Sequence, residues 1–167
     1  MDIQKNQTGE FTRTRQGTVG ANTEAEIEML SDQFFEAFQA ADIEKIMAFY
    51  ADEVIAYDMM PPLEFKGKAA YRKAWETGLS QMGKIEKLER ADTKIFADGD
   101  LAVLHCLTHF VCTMKDGKKM DSWNRYTGAM RRMNGKWLIV HEQISVPIDM
   151  KGEKAIWDLK PETGLKH

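Results

Sequence analysis

Cysteine is nearly missing from this 167-residue chain: there are two, Cys106 and Cys112, six positions apart in one apolar run. If that run is a strand, they stand about 20 Å apart at roughly 3.3 Å per residue, too far to bond to each other. Two lone thiols fit a reducing compartment. No Cys-x-x-Cys pair, Gly-rich phosphate loop or nucleophile elbow occurs, which disfavours zinc, phosphoryl-transfer and acyl-transfer chemistry. No apolar run approaches the roughly 18 residues of a membrane span. The polar opening, Met1 to Asn22, lacks the apolar centre of a signal peptide. The net charge of −3 comes without a basic stripe. Neither membrane nor nucleic acid is therefore an expected partner, and the cytoplasm is the default location.

What is present is a legible order of elements. Residues 1–22 hold three glycines among Gln, Thr and Arg and read as a flexible arm. Thr23-Glu24-Ala25-Glu26 fits a capping box, and Ile27, Leu30, Phe34, Phe38 and Ala41 follow at helical spacing, so a first helix runs to about residue 40. Asp42 caps a shorter helix carrying Ile46, Met47 and Tyr50. A strand over Val54–Met59 stops at Pro61-Pro62, and a third helix over about 67–80 carries Tyr71 and Trp75 one turn apart. The period then becomes alternating. Ile85–Phe96 reads as a charged, half-exposed strand. Leu101–Met114, Met120–Arg132 and Lys136–Val146 read as an antiparallel meander, punctuated by the turn dipeptides Asp98-Gly99, Asp116-Gly117 and Asn134-Gly135. Helices first and strands after make an α+β plan, with three N-terminal helices packed on one face of a strongly curved, mostly antiparallel sheet that encloses a pocket. The domain spans 23–148, and 149–167, with Ile156 and Trp157, is a C-terminal extension.

Asp58 is the leading site candidate, a carboxylate where a short strand runs into a proline turn. A pocket rich in Met59, Met60 and aromatic rings would raise its pKa toward that of a general base. The bland alternative is a turn cap or an ion pair with Arg125. Strict alternation puts Trp137, Ile139, His141, Gln143 and Ser145 on one face of the last strand, and Trp123, Arg125 and Thr127 on one face of its neighbour. Arg125, His141 and Gln143 then form one polar cluster: either a satisfied internal network, or an anchor for an anion or enolate (Arg125) with a proton shuttle (His141). His105 and His109 lie four apart on one strand face, about 13 Å, too far to share a metal ion, so no metal site is expected. Phe34, Tyr50, Trp75, His109, Trp123 and Gln143 are the expected ligand contacts, beside Asp58, Arg125 and His141 as catalytic candidates.

Phe49-Tyr50-Ala51-Asp52-Glu53, Tyr57-Asp58 followed by Gly67, and Arg125-Tyr126-Thr127 through Asn134-Gly135-Lys136-Trp137-Leu138-Ile139-Val140-His141 resemble the NTF2-like superfamily, in its SnoaL-like and ketosteroid-isomerase-like branch. The resemblance spans roughly residues 25–147. It implies a cone-shaped barrel, a small apolar ligand, a homodimer formed through the open sheet face, and Asp58 as a base. The activity implied is isomerisation, cyclisation or dehydration of an apolar carbonyl compound by cofactor-free proton transfer. The oxyanion tyrosine of that branch would fall at Phe34, which has no hydroxyl, and this argues against steroid isomerisation. The C-terminal strands also resemble the association domain of calcium/calmodulin-dependent kinases, which leaves a non-catalytic ligand-binding or oligomerisation module as the alternative.

Overall fold

Alternating apolar residues and three glycine turns build most of the molecule as one sheet, and the computed structural model describes it over residues 17–161, with side chains from residue 22 onward. Helix α1 spans Gly17–Gln39 and α2 Ile43–Ala48; strands β1 (Tyr50–Tyr57) and β2 (Phe65–Lys66) precede α3 (Lys68–Gln81). Four long strands follow, β3 (Met82–Asp98), β4 (Leu101–Met114), β5 (Lys119–Met133) and β6 (Lys136–Ser145), then the short pair β7 (Ile148–Asp149) and β8 (Lys154–Ala155). The capping box does not open α1. Thr23 is buried inside a helix that begins at Gly17, because a hydroxyl-x-x-Glu pattern favours a start without forbidding helix upstream. The expected flexible arm is thus helical over its last residues, and its remainder lies outside the described residues, as does the end of the extension beyond residue 161.

The turn chemistry works as its residue types require. Asn134 and Gly135 both take positive φ, 51° and 78°, the pairing a tight hairpin with right-handed strand twist needs. Asp42 caps α2 by accepting from the Lys45 amide at 3.1 Å. Gly67 opens α3 at φ 82°, a conformation that penalises any residue with a Cβ.

The sheet order is β2-β1-β6-β5-β4-β3, and every pairing but one is antiparallel, β1 running parallel to β6. The expected cone-shaped barrel is not formed. β2 and β3 are the two free edges of an open sheet, and a two-residue edge strand offers too few backbone groups to close it. The α1 face of Ile27, Leu30, Phe34 and Phe38 packs with Ile46, Met47 and Tyr71 over the inner sheet face to form the core. No helix of the described residues is long and apolar enough to cross a membrane.

Which side chains face inward is set by strand phase. On β4 and β5 the even positions do so: Leu104, Cys106 and Phe110 are buried on one, Ser122, Asn124 and Met130 on the other. On β6 the phase changes within the strand. Ala129 pairs with His141 but Met130 pairs with Ile139, so Val140 is an extra residue, a β-bulge. Trp137 and Ile139 are buried before it, and Glu142 after it.

Candidate functional site

The inner face, α1 and α3 enclose a cavity of about 380 Å³, within the ordinary range for small-molecule sites. Phe34, Phe38, Trp75 and Leu79 line it from the helices, and Leu104, Phe110 and Met130 from the sheet. Met59, Met60 and Trp157 border it from the loop after β1 and from the C-terminal segment. Two carboxylates, Asp58 and Glu142, belong to this otherwise mostly apolar wall.

Glu142 is 1% exposed, and three phenols from three different elements meet it. Tyr50 of β1 and Tyr71 of α3 donate to its Oε1 at 3.0 and 2.5 Å. Tyr126 of β5 donates to Oε2 at 3.2 Å. The Tyr71 hydroxyl also lies 3.2 Å from Asp58 Oδ2, and Asp58 Oδ1 accepts the Met60 amide at 3.0 Å. A phenol carries one proton, so Tyr71 serves one carboxylate at a time and links the two.

Burial pushes the Glu142 carboxyl up to about 7, against the pull of its three tyrosine donors, with the charge of Asp58 adding to the rise. The same burial, followed by the neighbouring Glu142 charge, drives the Tyr50, Tyr71 and Tyr126 phenols well above their usual range. They remain neutral donors at every physiological pH, while Glu142 can hold or release a proton near neutrality.

Gly128 completes the arrangement. It is registered opposite Glu142, and a Cβ there would stand 2.5 Å from the Tyr126 hydroxyl. Only a residue without a side chain lets the Tyr126 ring lie along its own strand and reach the carboxylate.

Asp58, Phe34 and Trp75 are at the cavity as the sequence reading places them, and Tyr50 is buried behind it, holding Glu142. Phe34 makes edge contacts with Phe49, Tyr50 and Trp75 at 5.5, 6.1 and 5.9 Å. The hydroxyls at this end of the molecule come from β1, α3 and β5, and all three are bonded to Glu142. Arg125, Trp123 and His109 are not brought to the cavity. They lie on the opposite face, Arg125 exposed and His109 stacked on Trp123 at 4.6 Å and 9°. The His109 ring nitrogens contact Glu89 at 3.0 Å and Asp121 at 2.8 Å. His141 is turned to the Ile55 carbonyl, Nδ1 at 2.8 Å, with Tyr57 edge-on at 4.8 Å, and Gln143 is exposed. No Asp58–Arg125 ion pair forms, since the two side chains are on opposite sides of the sheet.

The physical reasons differ between strands. Both faces of β5 mix polar and apolar residues, so alternation does not say which is inner. In β6 the bulge at Val140 exchanges His141 and Gln143 for Glu142 and Ile144. The residues this hid are Glu142, Tyr71, Tyr126 and Gly128. Glu142 lies between His141 and Gln143, three polar residues in a row, so nothing local marks which of them turns inward.

A SnoaL-like domain family model matches residues 27–149. An NTF2-like protein of unknown function from Pseudomonas putida KT2440 is 37% identical, with a TM-score of 0.77 over 84% of this chain and 98% of that one. A ketosteroid isomerase-like protein from Erwinia carotovora atroseptica shares the fold at 21% identity, TM-score 0.64, over 72% of this chain and 93% of that one. A Xanthomonas campestris protein named for the calcium/calmodulin-dependent protein kinase II association domain reaches 25% identity and TM-score 0.59, over 72% and 84%. No curated protein matches the chain. With most of its length matched, the chain is a member of the SnoaL-like domain family of the NTF2-like superfamily.

Proposed function

We propose that the protein binds a small apolar carbonyl compound and acts on it as a cofactor-free isomerase, cyclase or dehydratase by proton transfer. The observation that carries this reading is the Asp58–Tyr71–Glu142 array at an apolar cavity, two carboxylates joined by one phenol. Asp58, at the cavity mouth, takes a proton from the carbon next to the ligand's carbonyl. Its carboxyl then donates to the Tyr71 oxygen while the Tyr71 proton passes to Glu142, which is poised to receive it near pH 7. Reversal of the relay returns the proton to a different atom of the same ligand, so the step needs no co-reactant. Phe34 and Trp75 supply the apolar wall that excludes water.

Deuterium exchange at carbons flanking the carbonyl, followed by NMR over a panel of apolar ketones in D₂O, tests this. Wild-type protein should exchange at least one of them, and Asp58→Asn should slow it by about 10²–10⁴, the usual contribution of a positioned base. Ketones that bind without exchange would instead support the non-catalytic module, which the likeness to the association-domain protein favours. The two buried free thiols go with the cytoplasmic location we propose for it.

A further inference from the structure

The far end of the same cavity carries a second polar group that proton transfer does not use. Arg90 on β3 is registered with Thr108 on β4, and Thr108 with Asn124 on β5, so the three form one rung across the inner face. All three line the cavity. Asn124 is 7% exposed, and its Oδ1 is buried with no hydrogen-bond partner among the described residues. The Arg90 side chain is 11% exposed; its Nη2 is bonded to Asp32 on α1, its guanidinium centre lies 5.5 Å over the Phe35 ring, and its Nη1 is buried and unpartnered. Asp32 is 63% exposed, so solvent screens it, and a surface pair would not by itself require an arginine drawn into an apolar wall. Buried polar groups ordinarily have partners. Two lacking them on one rung of one cavity point to a ligand that supplies them.

We propose that the ligand is an elongated keto acid whose carboxylate docks on Arg90, Thr108 and Asn124 while its carbonyl end reaches Asp58 and Glu142; this rests on the proton-transfer reading for the second half. Arg90 Nη1, the corner of the guanidinium not bonded to Asp32, donates a charge-assisted hydrogen bond to a carboxylate, which a neutral ester matches only weakly. The Thr108 hydroxyl donates to the same group, and so does the Asn124 amide once turned to present its NH₂, its two ends being exchangeable by rotation. The length follows from the register. Thr108 lies four residues along β4 from Leu104, which pairs with Gly128 and through it with Glu142, about 13 Å along the strands and two strand spacings, about 10 Å, across them, a backbone gap that the long Arg90 and Glu142 side chains shorten. Polarity fixes the direction. An anion is repelled by Asp58 and drawn to Arg90, so the acid enters first and leaves the neutral carbonyl at the carboxylate end.

The test compares 9-oxodecanoate with its methyl ester by titration calorimetry at pH 7.5, the carboxyl and ketone being separated by roughly 10 Å of extended chain. Wild-type protein should bind the acid about tenfold or more tighter than the ester, the ordinary worth of a charge-assisted hydrogen bond. Arg90→Gln should abolish that preference by weakening acid binding about tenfold more than ester binding, and Arg90→Lys should restore only part of it. Equal binding of acid and ester to wild type, an equal loss for both in Arg90→Gln, or failure of both to bind below millimolar concentration would each overturn the proposal. Binding is read without turnover, so the two readings fail separately. Acid preference without exchange would remove the enzyme and leave the acid site; exchange without acid preference would do the reverse.

Discussion

Glu142 is a carboxyl kept in the core by three phenols and a glycine, and its behaviour with pH follows from that. Burial raises it from an ordinary 4.5 to about 7 in the folded state. The folded protein therefore binds the extra proton between those values, and stability falls as pH rises through that window. The loss is on the order of 3 kcal/mol as an upper figure. Urea denaturation at pH 5 and pH 7.5 should show it in wild type, and Glu142→Gln, which cannot ionise, should flatten the difference. An equal pH dependence in both proteins would mean that Glu142 is already charged in the fold at pH 5.

At the scale of elements, the decisive feature is one extra residue in β6. Val140 lets Trp137 and Ile139 face the core on one side of the bulge and Glu142 on the other. Trp137 is in turn tied to α1: its Nε1 donates to Glu26 at 3.1 Å, Arg132 donates to the same carboxylate at 2.8 Å, and the Arg132 guanidinium lies 4.7 Å over the indole. With Trp137 anchored, deleting Val140 would let β6 alternate from Ile139 inward through His141 outward to Glu142 inward, so the carboxylate keeps its place opposite Gly128. Glu142→Leu would instead leave Tyr50, Tyr71 and Tyr126 as buried hydroxyls without their acceptor, each costing about 1–3 kcal/mol. Deleting Val140 should therefore lower the urea midpoint, read by circular dichroism, much less than Glu142→Leu does. A deletion as damaging as Glu142→Leu would show that the bulge itself, and not the direction in which Glu142 points, holds this end of the sheet.

The whole molecule is a sheet with two unlike faces. The inner face is occupied by helices and cavity; the outer face presents His105, His109, Trp123 and Arg125, with Phe96 62% exposed beside His105 at a ring distance of 6.0 Å. We propose that this outer face forms a homodimer, for which a large exposed aromatic on a broad sheet surface is the supporting observation. Sedimentation equilibrium should give twice the chain mass of 19.1 kDa, and Phe96→Glu should shift it to monomer. A wild-type protein that sediments only as monomer would defeat the dimer and leave the cavity reading untouched.

Local physics made much of this chain readable. Asp-Gly and Asn-Gly pairs mark hairpins because few other residues accept positive φ, apolar spacing separates helices from strands, and Asp58 stands out as an acid where a strand meets two prolines. The order of the long elements, the α+β plan and the place of Asp58 at a strand end followed from sequence alone; the short strands β2, β7 and β8 did not. The partner of that carboxylate did not. Tyr50, Tyr71 and Tyr126 are 92, 71 and 16 residues from Glu142, and nothing local requires them to meet. Tertiary structure decided their convergence by fixing which face of each strand turns inward. That phase depends on a bulge and on where the helices dock, and an amphipathic period of two is blind to both.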